Sequence, residues 1–226
     1  MNITFTNVYN LDVDYPQPAS KFIPDWYKDI ESYLGGEKQP ASDGSTTATI
    51  KRCMPVFDAM TAGYIITTPC DVVVSIKNDR QIFDCINFHP IRFHPIEQAP
   101  NHPYKKEYPY PKWMNPWSIK TPDGYSTLFV QPFHRDSVFT IMPGIVDTDG
   151  FTANVSFPMV INDLNFEGII KKGTPMAQVI PFKREEWHME IGGEEEIIDK
   201  NNKAKKLLEK PFDKYKTFWW YKKNYK

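Results

Sequence analysis

Residues 144–182 read GIVDTDGFTANVSFPMVINDLNFEGIIKKGTPMAQVIPF, and this stretch decides the fold. Short apolar and β-branched segments at 153–157, 168–170 and 176–182 are separated by the turn-forming pairs Asp149-Gly150 and Lys172-Gly173. Short strands bounded by such turns are typical of antiparallel β-structure. The stretch therefore predicts a compact β-core built around two turns, GIVD at 144–147 and GTPMAQ at 173–178.

The same pattern continues on both sides of this stretch. Residues 2–13, 125–131 and 137–141 read as strands, and residues 49–76 read as strand, turn and strand, beginning with Ile50–Met54. Apolar residues at helical spacing predict a short helix within 20–34. We therefore expect a mainly β fold with a β-clip-like or jelly-roll-like core, a short N-terminal helix and a C-terminal helical tail.

Two segments differ from this pattern in composition. Residues 88–117 interleave seven prolines with aromatic residues, which indicates an extended loop held down by aromatic side chains, or an interaction surface. Beyond an acidic run at 194–196 the chain is rich in lysine, with a predicted helix over Ala204–Lys210 and a second helix capped by Asp213. We predict a β-rich domain over 1–195, with an insertion at 88–117, and a basic, aromatic helical tail over 196–226 that packs on the core.

The charge and cysteine content exclude several classes of protein. A net charge of −1 provides no overall field that would attract nucleic acid or anionic lipid. The lysine-rich tail is the one place where nucleic acid could bind, although docking of an aromatic helix face accounts for the same residues. Three cysteines match no zinc pattern, and we expect them to be reduced. With neither a signal peptide nor a membrane-spanning run predicted, we expect a cytoplasmic protein, in the host cytoplasm if phage-encoded, or a virion protein, with no membrane contact.

The GIVD and GTPMAQ turns resemble paired motifs of the trimeric deoxyuridine triphosphatase family and related β-clip proteins, as does Ala62-Gly63-Tyr64. The resemblance implies that Asp147 activates water and that Gln178 lies near it, so both are candidate catalytic residues. The chain departs from the family pattern in having Ile65 where an aspartate is usual and Gly150 where an aromatic residue is expected. It also lacks an Arg-Ser-Gly motif that would hold phosphate.

Four longer blocks resemble an uncharacterised family of marine tailed phages and bacteria. They are CMPVFDAMTAGY at 53–64, WSIKTPDGYS at 117–126, PGIVDTD at 143–149 and GTPMAQVIPFKRE at 173–185. The blocks extend over most of the chain. No biochemical activity is implied by this resemblance.

Other side chains suggest binding or metal chemistry. Aromatic residues that flank the predicted core are candidate ligand-binding residues: Tyr64, Trp117, Tyr125 and Phe151. His134, Asp136 and His188 have the order of a two-histidine, one-carboxylate iron site, which would make the protein a non-haem iron oxygenase.

The sequence therefore favours a phage-type β-rich protein that acts by binding a virion protein, a host protein or a small ligand. We expect a homo-oligomer without a cofactor or a bound metal. The alternatives are a nucleotide or sugar hydrolase that uses Asp147 and Gln178, and the iron oxygenase.

Overall fold

The computed structural model describes residues 1–40, 46–78, 80–85, 89–98, 102–103, 110–208 and 213–226. The chain divides into two compact units. The first, which we call the β unit, comprises residues 1–22, 62–184 and 225–226, and the second, the helical unit, comprises residues 23–61 and 185–224. Both units are discontinuous in sequence, whereas we predicted consecutive domains. The predicted boundary at residue 195 stays a prediction.

All strands of the described residues belong to the β unit, and every strand pair is antiparallel. In chain order they are β1 (Thr4–Asn7), β2 (Gln17–Pro18), β3 (Tyr64–Thr67), β4 (Val72–Lys77), β5 (Arg80–Asp84), β6 (Ile91–His94), β7 (Tyr110–Trp113), β8 (Trp117–Lys120), β9 (Tyr125–Val130), β10 (Phe139–Ile141), β11 (Gly144–Val146), β12 (Phe157–Ile161), β13 (Gly168–Ile170) and β14 (Pro175–Lys183). The sheets have the strand orders β11-β9-β14-β3-β2, β10-β12-β7-β6, β13-β4-β5 and β1-β8. The predicted mainly β fold is confirmed, and the several antiparallel sheets agree with a β-clip-like core.

Residues 144–182 supply the centre of the β unit. Its last strand, β14, lies between β9 and β3, so Ala177 and Val179 are fully buried there. These two side chains belong to a core cluster that draws on several sheets and includes Trp113, Phe129 and Phe157. Burial of such large apolar side chains is the main favourable contribution to folding.

The helical unit holds the α-helices of the described residues: α1 (Asp25–Asp29), α2 (Met54–Thr61), α3 (Glu194–Leu208) and α4 (Lys214–Phe218). The predicted strand Ile50–Met54 is wrong. A 3-10 turn spans Ile50–Arg52, with the Thr49 side chain accepting a hydrogen bond from Lys51 N, and α2 follows. Pro55 lies in the first turn of α2, where its missing N–H costs nothing.

The tail is helical, as predicted, but two details differ. Helix α3 begins at Glu194, ten residues ahead of the predicted start, because the Glu196 carboxylate reaches back to the Gly193 N–H at 2.8 Å and caps the helix. Asp213 precedes α4 but makes no capping hydrogen bond. Its carboxylate instead pairs with Arg52 and Lys38, so the predicted capping role is wrong. Packing of the tail on the β-core stays a prediction.

The segment 88–117 contains regular structure rather than an extended loop alone. Strands β6 and β7 pair in it from Ile91↔Trp113 to His94↔Tyr110. Residues 88, 99–101 and 104–109 of this segment lie outside the described residues, and an interaction surface here stays a prediction. Within the part of the chain that the structure describes, no helix combines the length and apolar character needed to cross a bilayer.

Candidate functional site

Asp147 lies directly after the edge strand β11, where its side chain is 70% exposed. Its Oδ1 accepts a hydrogen bond from the Ser126 hydroxyl at 2.6 Å and lies 3.3 Å from Nη1 of Arg184. The next residue, Thr148, is buried, and its hydroxyl lies within hydrogen-bond distance of those of Thr121 and Thr127, at 2.8 and 2.7 Å. This buried hydroxyl cluster anchors the turn, which leaves Asp147 exposed, whereas the Asp149 side chain is only 13% exposed.

Arg184 and Asp149 join the ends of three strands. The Arg184 guanidinium donates to Asp149, to the Tyr125 carbonyl at 3.0 Å and to the Ser126 hydroxyl at 3.1 Å. Asp149 Oδ2 also accepts from the Gly124 N–H at 2.9 Å. The hydrogen bonds from Arg184, and then that from Gly124, lower the pKa of Asp149 to about 2.

We call Gly124, Ser126, Asp147, Asp149 and Arg184 the polar clasp. The Asp149 carboxylate accepts hydrogen bonds from the Arg184 guanidinium and the Gly124 N–H, which favours its ionised form, and Asp147 accepts a hydrogen bond from the Ser126 hydroxyl. A carboxylate held in this way is a weak base towards water. The arrangement fastens β9, β11 and β14 together more directly than it prepares a proton transfer.

Gln178, the second predicted catalytic residue, is buried in β14 with 1% of its surface exposed. Its Oε1 accepts from the Phe133 N–H at 3.1 Å, and its Nε2 donates to the Ala62 carbonyl at 2.7 Å. Both ends of the side-chain amide therefore hold backbone segments that adjoin the central sheet.

The strand register places Asp147 and Gln178 at different positions along the strands of the five-stranded sheet. Asp147 bonds Ser126, which pairs with Phe182 on β14, whereas Gln178 pairs with Val130. Phe182 and Gln178 are four residues apart, or about 13 Å along a strand. The structure does not bring the two predicted catalytic side chains together.

The predicted ligand-binding residues also separate into different places. Tyr125 and Phe151 adjoin the polar clasp, since the Tyr125 carbonyl accepts from Arg184 and the Phe151 N–H donates to the Asp147 carbonyl at 2.9 Å. Trp117 is 2% exposed in β8, where it pairs with Asn7 as part of the core. Tyr64 has a different setting, in an open groove.

The groove has a volume of about 540 Å³ and is lined by residues of β1, β2, the turn after β2, β3 and residues 225–226. Three rings follow one another along it, with centroids 5.3 Å apart for Phe5 and Tyr64 and 5.9 Å apart for Tyr64 and Tyr225. Among the lining residues, all of which the structure describes, the charged side chains are Lys21 and Lys226. Lys21 Nζ donates to Gln17 Oε1 at 2.7 Å.

Burial, and then the neighbouring Tyr225, raises the pKa of Tyr64, which keeps its phenol neutral at physiological pH. The hydroxyl donates to the Lys226 carbonyl at 3.3 Å. Tyr64 was predicted as a binding residue from the sequence, whereas Phe5, Lys21 and Tyr225 were not. Two of these lie near the ends of the chain, and no local pattern indicates that they meet at β3.

The histidine constellation is not assembled as a metal site. Within the described ranges, which include His134, Asp136 and His188, no group of three or more His, Cys, Asp or Glu side chains is placed to hold a metal ion. His134 has a positive φ of 55°, which belongs to the turn between β9 and β10.

The fold and these sites define a class, a mainly antiparallel β protein with an open aromatic groove and a polar clasp that joins three strand ends. No protein-family model matches the chain, and no curated protein matches it. Two of the solved structures that resemble it are phage dUTPases. A mutant dUTPase from phage phi11 of S. aureus, described with a structural Mg(II) ion, is 15% identical over 58% of this chain and 82% of its own, with a TM-score of 0.31.

The second is a mutant dUTPase of Staphylococcus bacteriophage 80alpha with dUpNHpp. It is 16% identical over 58% of this chain and 75% of its own, with a TM-score of 0.30. Likeness at this level does not identify a shared activity.

Proposed function

We propose that the protein acts by binding, and that the groove beside Tyr64 takes a small anionic molecule that contains a planar ring. The observation that carries this proposal is the row of three rings bordered by lysine side chains. The groove volume falls in the usual range for small-molecule sites, about 300–1,000 Å³. Aromatic faces accept flat apolar groups, and lysines attract an anion.

The charge of the lining residues favours an anion over a cation. Lys21 and Lys226 provide positive charge, while the other lining side chains are uncharged. Gln17 and Ser20 add polar groups that can orient a bound molecule. A cationic ligand would meet repulsion from both lysines, whereas an anion would be attracted by them.

Isothermal titration tests the proposal with two probes that combine a planar ring and an anion, uridine 5′-monophosphate and anilinonaphthalene sulfonate. We expect binding by at least one probe, and a Kd about tenfold weaker in Lys21→Glu because an attraction becomes a repulsion. Lys120→Glu is the matched control, since this exposed lysine ends β8 and does not line the groove. Failure of both probes to bind, or equal affinity in Lys21→Glu, would contradict the proposal.

The alternative function is hydrolysis of a nucleotide or sugar by Asp147 and Gln178. Its test is phosphate release from nucleoside triphosphates by the wild type and by Asp147→Asn. We expect no turnover by either protein. Turnover that Asp147→Asn loses while its circular dichroism spectrum is unchanged would replace the binding proposal with hydrolysis.

A further inference from the structure

Helix α3 and the segment ahead of it expose an unusual number of large apolar side chains. Ile197 and Ile198 of α3 are 56% and 59% exposed. Trp187, Met189 and Ile191, at alternate positions of the segment before α3, are 85–90% exposed. Several large apolar side chains exposed within one stretch of chain indicate an interaction site.

The exposed side chains of α3 form a face at helical spacing. Ile197, Asn201 and Ala204 are separated by four and then three residues, so they lie above one another on one side of the helix. A large side chain at one end of this face and a small one at the other allow two such faces to interdigitate when they run in opposite directions.

The charges of α3 are also distributed unevenly along the helix, with acidic residues at its start and lysines further on. Glu194, Glu195 and Glu196 form the first turn, and Lys200 and Lys203 follow in the next two turns. In a parallel pair of these helices, like charges would lie side by side. In an antiparallel pair, the acidic turn of each helix lies within about one turn of the other helix's lysines.

From this self-complementarity we infer that α3 pairs antiparallel with α3 of a second copy of the chain, around a two-fold axis that passes between Lys200 and Asn201. The pairing places Ile197 of each copy against Ala204 of the other. A two-fold interface must match a surface with itself, and α3 carries both halves of the required pattern. Ligand binding in the groove is not required for this pairing.

The first experiment measures mass by light scattering after size-exclusion chromatography. We expect the wild type to have twice the 26.3 kDa mass of one chain. The double variant Ile197→Ser/Ile198→Ser should weaken the dimer about tenfold or more, because the apolar contact of Ile197 with Ala204 is lost on both sides of the two-fold axis. Ile145→Ser is the matched control, since Ile145 is 64% exposed on β11 and should leave the mass unchanged. A monomeric wild type, or a dimer that survives the double change, would overturn the inference.

The second experiment locates the axis by disulfide trapping with oxidised glutathione. In the antiparallel pair, the cysteine of Asn201→Cys lies next to the equivalent cysteine of the second copy, so it should link the two chains. Asn202→Cys, turned about 100° around the helix, should not. Ala204→Cys should also fail to link to itself, whereas a parallel pair would trap both Asn201→Cys and Ala204→Cys. Linkage in all three variants, or in none of them, would refute the antiparallel pairing.

Discussion

Replacing Gln178 with leucine is expected to destabilise the β unit. Leucine has a similar volume but removes both side-chain hydrogen bonds, so the Phe133 N–H and the Ala62 carbonyl lose their partners. An unpaired buried group costs about 1–3 kcal/mol. Because the two backbone groups are only partly buried, we take the lower part of that range for each, which gives about 2–4 kcal/mol for the pair. For a chain of this size the melting temperature should fall by about 4–16 °C.

Scanning calorimetry measures the loss, and urea unfolding gives the free energy independently. Gln131→Leu is the matched control, because Gln131 Oε1 accepts one hydrogen bond, from the Ile141 N–H at 3.0 Å. It should lose about half as much stability as Gln178→Leu. A Gln178→Leu protein that melts like the wild type would refute the structural role. If such a protein also lost turnover or ligand binding, Gln178 would belong to the functional site.

Gly63 and Asp149 support two further predictions. Gly63→Ala should prevent folding to a soluble protein, because a Cβ at φ +67° would lie 1.9 Å from the Val179 carbonyl oxygen. Gly124→Ala is the control: at φ +81°, with nothing within 4 Å of the added Cβ, it should lower the free energy of unfolding by only about 1 kcal/mol. The pKa of Asp149, about 2 in the folded chain against a usual 3.8, means that its carboxylate stabilises the fold above about pH 4 and that this contribution disappears as the pH falls towards 2. The unfolding free energies of Asp149→Asn and the wild type, compared by urea titration, should therefore differ at neutral pH and converge near pH 2, and a constant difference would contradict the ion pair with Arg184.

Local pattern was enough to predict part of the β unit, including β9, β10, β13 and β14, whereas the strand predicted at 153–157 is wrong because β12 spans Phe157–Ile161. The predicted strand 176–182 corresponds to β14, which spans Pro175–Lys183, because β-branched and apolar residues bounded by a Lys-Gly turn carry the signal within a few positions. Helix α2 was missed because the local signal is weak there. Its eight residues, Met54–Thr61, include Pro55 and two β-branched residues, so intrinsic propensity favours no single structure there and tertiary contacts decide.

The candidate sites depend on contacts that local pattern does not contain. The polar clasp forms because the antiparallel register brings Arg184 beside Gly124 and Asp149, and neither neighbour is close to it in sequence. The groove similarly requires β1, β3 and Tyr225 to meet. Asp147 and Gln178 were predicted from a resemblance to known motifs. The spacing of those motifs in the sequence does not determine where along the strands of the sheet each residue lies.

The pairing of β1 with β8 has a consequence for folding during synthesis. Asn7 pairs with Trp117, so 117 − 7 = 110 residues must be added after Asn7 before this pair can form. At about 5–20 residues per second, β1 emerges from the ribosome roughly 5–20 s before its partner. During that interval the backbone groups of β1 are unpaired and its one apolar side chain, Phe5, is uncovered, so chaperones that bind extended segments have time to reach it.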